Sequence, residues 1–296
     1  MMRLRQAIDV ATAALAEAGI DSARTDAELL AAHLAGVTRG RLATVDEPDA
    51  DFLTRYDELI DARCSRIPLQ HITGSAAFGP LELHVGPGVF IPRPETEALL
   101  EWALARRLPD QPIIVDLCTG SGALAIALAA HWPRARVIAV DDDATALDYA
   151  RRNAESTTVE LVQADVTVPG LLTDLTGSVD LVVSNPPYIP AGAELDPEVA
   201  DHDPAHALFG GADGMAVIAP IARLAGAWLK PGGWFAVEHD DTTSDQTVET
   251  ISGTELFTKI TPHRDLACRP RFVTACRTTG GSARGSRDRP DKKEPA

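Results

Sequence analysis

The sequence predicts an α/β fold: a mostly parallel seven-stranded sheet with crossover helices, preceded by a small helical bundle. Three observations predict it. From residue 112 onward, short apolar runs alternate with helical patterns, as parallel strands joined by crossover helices do. The first seventy residues read as helices, with apolar side chains recurring at three- and four-residue steps. The last two apolar runs lie close together with no helix between them, so they should pair antiparallel at a sheet edge.

Leu4, Ile8, Ala11, Leu15 and Ala18 form one stripe, which Gly19 stops. Asp21 and Ser22 offer a cap to a second helix carrying Leu29, Leu30 and Leu34, closed by Gly36. A third, from about Asp49 to Arg66, carries Phe52, Leu53, Tyr56, Leu59 and Ile60 and ends before Pro68. Strict alternation in Leu81-Glu82-Leu83-His84-Val85 marks a half-exposed strand. Gly86-Pro87-Gly88 should turn the chain so that Val89-Phe90-Ile91 returns beside it. Pro94 suits the first turn of a helix continuing through Leu99, Leu100, Leu104 and Leu108.

The sheet strands follow: Ile113 to Leu117, Val137 to Val140, Val159 to Val162, Asp180 to Val183, Trp234 to Val237, Leu256 to Ile260 and Phe272 to Cys276. The division expected is a helical module over residues 1–74, a β-hairpin linker over 75–92, the sheet domain over 93–279 and a disordered tail over 280–296. That tail has no large apolar side chain.

Forty-three acidic against 27 basic residues give a net charge of −16, which argues against affinity built on a phosphate backbone. No apolar run is long enough to span a membrane, and the N-terminus meets Asp9 before any signal segment forms. A cytoplasmic protein is expected. The four cysteines include no Cys-x-x-Cys pair and read as reduced thiols. His202 and His206 have the spacing of a helical metal site, but Pro204 between them breaks such a helix, and no metal is expected.

The chemistry gathers where strands end. The first sheet strand runs into Cys118-Thr119-Gly120-Ser121-Gly122, whose glycines let the backbone approach a ligand before a helix starts. Asp141 ends the second strand, placed to accept hydrogen bonds from a ribose diol, and Asp165-Val166 follows the third. Their other reading is as solvated caps of the next helix. The sharpest signal is Asn185-Pro186-Pro187-Tyr188 after the fourth strand. Two prolines stiffen the backbone and remove donors. What remains is an acceptor-rich pocket, the Asn185 side-chain oxygen and the Pro186 carbonyl beside a flat ring, suited to a planar NH2 group.

In that order, the glycine loop, Asp141, Asp165 and Asn-Pro-Pro-Tyr resemble a class I (Rossmann-like) S-adenosylmethionine-dependent methyltransferase acting on planar amino nitrogen. The flanks narrow the resemblance. Pro68-Leu69-Gln70-His71-Ile72-Thr73-Gly74, Ile91-Pro92-Arg93-Pro94-Glu95-Thr96-Glu97 and Ala207-Leu208-Phe209-Gly210-Gly211-Ala212-Asp213-Gly214 are similar to stretches of the release-factor glutamine methyltransferases, the HemK or PrmC family.

The resemblance implies methyl transfer from S-adenosylmethionine to the side-chain amide nitrogen of the glutamine in the Gly-Gly-Gln loop of peptide chain release factors. It implies Cys118, Thr119, Gly120, Ser121, Gly122, Asp141, Asp165, Val166 and Asn185 at the cofactor. Asn185, Pro186, Pro187 and Tyr188 would hold the substrate and carry catalysis. A monomer without direct nucleic-acid contact is expected, with the helical module docking the substrate. The alternative is an amino-methyltransferase acting on adenine, cytosine or guanine; a nicotinamide dehydrogenase would leave Asn-Pro-Pro-Tyr without a reason. Three departures from the family pattern stand out: Asp203-Pro204 for Glu-Pro, Cys118 where glycine is usual, and Glu238-His239-Asp240-Asp241 for a Glu-Ile-Gly-Tyr-like stretch. The last is expected to lie away from the methyl-transfer centre.

Overall fold

The computed structural model describes residues 3–45 and 47–279. The expected disordered tail lies outside them. Helices α1 (Leu4–Glu17), α2 (Ala23–Ala35) and α3 (Ala50–Cys64) pack on one another around Leu4, Ile8, Leu15, Leu30, Tyr56 and Ile60. These are the residues of the predicted stripes. Their ends follow the local chemistry: Gly36 closes α2 in the left-handed conformation, and the Asp49 carboxylate accepts from Phe52 N to cap α3. The buried Tyr56 hydroxyl donates to Ala27 O at 2.8 Å, tying α3 to α2. Two short pieces escaped the periodicity, a 3₁₀ segment Arg39–Thr44 and a one-turn α4 (Leu69–Thr73), both too brief to show a stripe.

The hairpin differs from expectation. Strand β2 (Leu81–His84) pairs antiparallel with the preceding β1 (Ser75–Phe78), not with residues 89–91. Gly79-Pro80 makes the turn. Pro87 and Pro92 lack the donors a returning strand would need, so 86–91 runs without a ladder while Val89 and Ile91 fill a small core with Val85 and Ala146. Helix α5 (Glu97–Leu104) is also shorter than predicted. Arg106 N closes its last turn on Ala103 O, and Pro109 disfavours helix at Leu108, which packs on the sheet from irregular chain.

Seven strands form the main sheet: β3 (Ile113–Leu117), β4 (Arg136–Asp141), β5 (Glu160–Gln163), β6 (Val179–Ser184), β7 (Leu229–Glu238), β8 (Phe257–Arg264) and β9 (Pro270–Arg277). Their order is β5-β4-β3-β6-β7-β9-β8. All neighbours are parallel except that β9 lies antiparallel to both β7 and β8. The sheet is therefore mostly parallel with an antiparallel edge, as expected. Alternate residues feed two cores: Val115, Ile138, Val182 and Phe235 on one face, Ile114, Val137, Leu181 and Ala236 on the other. Helix α10 (Ile218–Trp228) covers the first face through Ile218, Ile221 and Trp228; α5 and α6 (Ala123–His131) cover the second. From β3 the chain builds outward to β4 and β5, then crosses back to β6 on the other side. This reversal opens a crevice beyond the carboxyl ends of β3 and β6.

Candidate active site

Each predicted site residue leaves the carboxyl end of a strand on this side. A cavity of about 380 Å³ there is lined by Cys118, Thr119, Gly120 and Ser121 after β3, by Asp141 at the end of β4, and by Asp165 and Val166 after β5. Asn185, Pro186, Pro187 and Tyr188 after β6 complete it. Of the predicted residues only Gly122 is not part of the wall; it caps α6 from a left-handed conformation.

The glycine loop is tied down at both ends. Thr119 N donates to Val140 O at 3.0 Å, and Gly120 N donates to Asp141 Oδ2 at 2.8 Å. Asp141 also accepts from Asp143 N through Oδ1 at 3.0 Å. It is not a cap of the next helix: that role falls to Asp143, which accepts from Thr145 N at the start of α7 (Ala144–Asn153). Burial pushes the Asp141 carboxyl above its ordinary range. Asp165 is different. Its Oδ1 accepts from Thr167 N and Oγ1, bonds that hold its carboxyl below the usual value at the rim of the cavity.

Gly120 has φ +56°, and a Cβ built there would meet nothing within 4 Å, so the loop leaves open space for a ligand against its backbone. Cys118 adopts φ +58°, a left-handed conformation that L side chains rarely take. This is the physical sense of the usual glycine: Cys118 carries the strain of a Cβ there. Burial raises its thiol well above the ordinary value, which makes it a poor nucleophile.

Asn185-Pro186-Pro187-Tyr188 is supported from behind. Ser184 Oγ donates to Leu117 O at 2.7 Å and locks the end of β6 to β3. Ile189 N donates to Leu208 O and Gly210 N to Ile189 O, each at 2.9 Å. A Cβ at Gly210 would stand 2.6 Å from Pro187 O, and one at Gly214 would collide with Tyr188 O. The glycine-rich stretch after the motif thus serves close packing against the motif's own backbone. Between the two lie short helices α8 (Pro197–His202) and α9 (Ala205–Leu208). His202 and His206 sit on separate helices here: His202 faces His71 edge-on, and His206 Nε2 lies 3.2 Å from Asp143 Oδ2.

The wall includes residues the sequence reading left out. Asp116 in β3 is buried; its Oδ2 accepts from Thr119 Oγ1 and Ala125 N, while Oδ1 has no partner among the described residues. Desolvation pushes its carboxyl up to about 7. Phe90, Arg93 and Thr96 arrive from the segment before α5. Glu238 corrects an expectation. It ends β7 inside the cavity wall and is not remote from the centre; burial pushes it up to about 8. Arg271 of β9 lines the same cavity, near both Tyr188 and Glu238. An acid within or at the end of a buried apolar strand is the sequence signal for both Asp116 and Glu238.

These residues fit S-adenosylmethionine. The open backbone at Gly120 admits a close approach, the strand-end Asp141 suits a ribose diol, and the unpartnered Asp116 Oδ1 would be satisfied by a cationic amine.

Residues 6–74 match the PrmC N-terminal domain family, and residues 83–207 match the methyltransferase small domain family. The release factor glutamine methyltransferase of Mycolicibacterium smegmatis is 66% identical over 94% of this chain and 99% of its own length. A 4-amino-L-phenylalanine/4-methylamino-L-phenylalanine methyltransferase of Streptomyces pristinaespiralis is 42% identical over 80% of this chain and 82% of its own. Among solved structures, a methyltransferase from Pyrococcus furiosus superposes with a TM-score of 0.50 at 20% identity, covering 74% of this chain and all of that one, a likeness of fold. By the identity and coverage of the first of these relatives, the chain belongs to the release factor glutamine methyltransferases, S-adenosylmethionine-dependent enzymes of the class I fold.

Proposed function

We propose that this enzyme methylates the side-chain amide nitrogen (N5) of the glutamine in the Gly-Gly-Gln loop of peptide chain release factors, and that Asn185 and Pro186 hold that amide. The observation that carries this reading is at Asn185. Its Nδ2 donates to Thr96 Oγ1 at 3.2 Å, which leaves Oδ1, on a side chain that lines the cavity, without a hydrogen-bond partner among the described residues.

An amide nitrogen is a poor nucleophile because its lone pair is delocalised into the carbonyl. S-adenosylmethionine, when bound, supplies an electrophilic methyl group. The chain's own part is orientation and charge. Asn185 Oδ1 and the Pro186 carbonyl accept the two N–H bonds of the substrate amide, fix its plane, and favour the positive charge that grows on nitrogen. Tyr188 packs its ring against that plane. Orientation of this kind is worth up to about 7–11 kcal/mol in favourable cases. With the Cys118 thiol held neutral by burial, the site has no activated sulfur nucleophile, and transfer is direct: the amide nitrogen takes the methyl as the sulfonium C–S bond breaks, and the methylated nitrogen, now acidic, gives up one N–H proton to water.

The helical module over residues 1–74 docks the release factor while the glutamine loop reaches Asn185 through the cleft. Removing residues 1–70 should weaken methylation of the intact factor far more than binding of S-adenosylmethionine; equal loss of both would make the module structural only.

One assay tests the whole reading: radiolabelled S-adenosylmethionine with release factor, with the factor whose loop glutamine is replaced, with nucleic acid, and with 4-amino-L-phenylalanine. Label in the intact factor alone is expected. Label in nucleic acid or the free amino acid, and none in the factor, would overturn the substrate while keeping the chemistry.

A further inference from the structure

Glu238 is a buried carboxyl that the mechanism above leaves unused. It closes β7, and its neighbour β6 runs parallel with Ser184 opposite Val237. Asn185 and Glu238, each one residue further on, therefore emerge side by side at the sheet's carboxyl edge. Thr96, buried in the 3₁₀ turn Pro94–Thr96, reaches both. Its oxygen accepts from Asn185 Nδ2 at 3.2 Å, and its hydroxyl lies near the Glu238 carboxyl. All three line the same cavity.

The two ends of an asparagine amide are nearly equal in shape and opposite in hydrogen-bonding sense. Asn185 accepts a substrate N–H only while Oδ1, not Nδ2, faces the acceptor. A threonine hydroxyl has one proton. If that proton is given to Glu238, Thr96 presents only lone pairs to Asn185, and the amide must offer it Nδ2. Glu238 Oε1, buried with no partner among the described residues, is costly for stability alone. We infer that Glu238 and Thr96 are positioning residues, a two-step relay that sets the sense of the Asn185 amide so that its oxygen faces the methyl acceptor. The inference rests on the substrate-holding role given to Asn185 above.

The charged groups around Glu238 are Arg271 from β9, Glu95 from the 3₁₀ turn and Asp265 from the turn between β8 and β9; Tyr188 stands beside Arg271. Ionised, Glu238 accepts only, and the relay holds. Protonated, it donates to Thr96 and frees the Thr96 proton to turn toward Asn185, the wrong sense. Turnover should therefore rise with pH through about 8, where burial places this carboxyl.

The test uses the full chain with release factor, measuring kcat, KM and, by calorimetry, S-adenosylmethionine affinity. Thr96→Val is expected to lower kcat at least tenfold with cofactor affinity within twofold, and Thr96→Ser to restore it. Glu238→Gln is expected to lower kcat and to lose the rise near pH 8. Wild-type kcat in Thr96→Val, a Thr96→Ser enzyme as impaired as Thr96→Val, or an unchanged pH profile in Glu238→Gln overturns the relay. If Thr96→Val does not fold, Glu238→Gln decides alone by the same pH criterion. A wild-type enzyme that leaves the release factor unlabelled overturns the substrate reading instead.

Discussion

Arg63, near the end of α3 in the helical bundle, donates through Nη2 to Glu198 of α8, 135 residues further along the chain, at 2.8 Å. The same guanidinium donates through Nε to Asp26 Oδ2 of α2 at 2.8 Å, and both of these side chains are 5% exposed. Arg66 adds a longer contact to Glu198, and Arg93 pairs with the buried Asp203 just beyond α8. The bundle is thus joined by charge to the insertion that follows Asn-Pro-Pro-Tyr. Removing Arg63 strands a buried carboxylate, so Arg63→Ala should lose about 3–5 kcal/mol of stability. Urea denaturation of Arg63→Ala, compared with the double variant Arg63→Met/Asp26→Leu, checks this: the double variant should regain most of the loss.

Asp141 holds two backbone donors of the glycine loop and its successor. Asp141→Ala should weaken S-adenosylmethionine binding by roughly 1–3 kcal/mol, the cost of leaving buried polar groups unpaired. Turnover at saturating cofactor should fall less. Unchanged affinity by calorimetry would remove Asp141 from the binding site.

Asn185→Ala should cost about 10²–10³ in turnover, the scale of one preorganised polar group. Asn185→Asp keeps an oxygen facing the acceptor and should retain more activity than alanine, though its second oxygen meets Thr96 where an N–H stood. Turnover and cofactor affinity measured separately for both variants decide the point. An Asp variant no better than Ala would sink the acceptor role.

The ligand-free enzyme should lose stability as pH rises from 6.5 to 8. Asp116 and Glu238, pushed by burial up to about 7 and about 8, keep protons in the folded state that the unfolded chain releases near pH 4. Their contribution is complete below that pH and is lost as pH climbs through the folded values. Buried or half-buried His71, His239 and His263, depressed by desolvation, act in the opposite sense, but only up to their ordinary value near 6.5. A difference of one proton is worth roughly 1.4 kcal/mol per pH unit. Thermal unfolding across this window should show the decline in wild type and a flatter profile in Asp116→Asn and Glu238→Gln.

Much of this was legible because strand ends announce themselves. The apolar run Ile113 to Leu117 and the break at Cys118 predicted both the strand and the loop, and Asn-Pro-Pro-Tyr marked its place without help from the fold. What could not be read was lateral. That Glu238 stands beside Asn185 depends on β7 pairing with β6, a relation between segments about fifty residues apart that no local period encodes. The hairpin departs from its sequence pattern for a related reason: Ser75–Phe78 is too short and too poor in branched side chains to look like a strand, and its partner supplies the order.

The place of β9 has a consequence for the order of assembly. It inserts between β7 and β8, although it is made after both. While the chain is being synthesised, β7 therefore waits with an open edge, and β8 has no strand to join, until residues 270–277 have emerged. The inner strands β5-β4-β3-β6 do not depend on that step. A chain cut short after β8 would carry the glycine loop and Asn185 intact beside an unpaired, largely apolar strand, the kind of edge that invites pairing with another molecule. The last hairpin is thus the seal on the sheet, and Arg271, which reaches the cavity from it, arrives only when the seal closes.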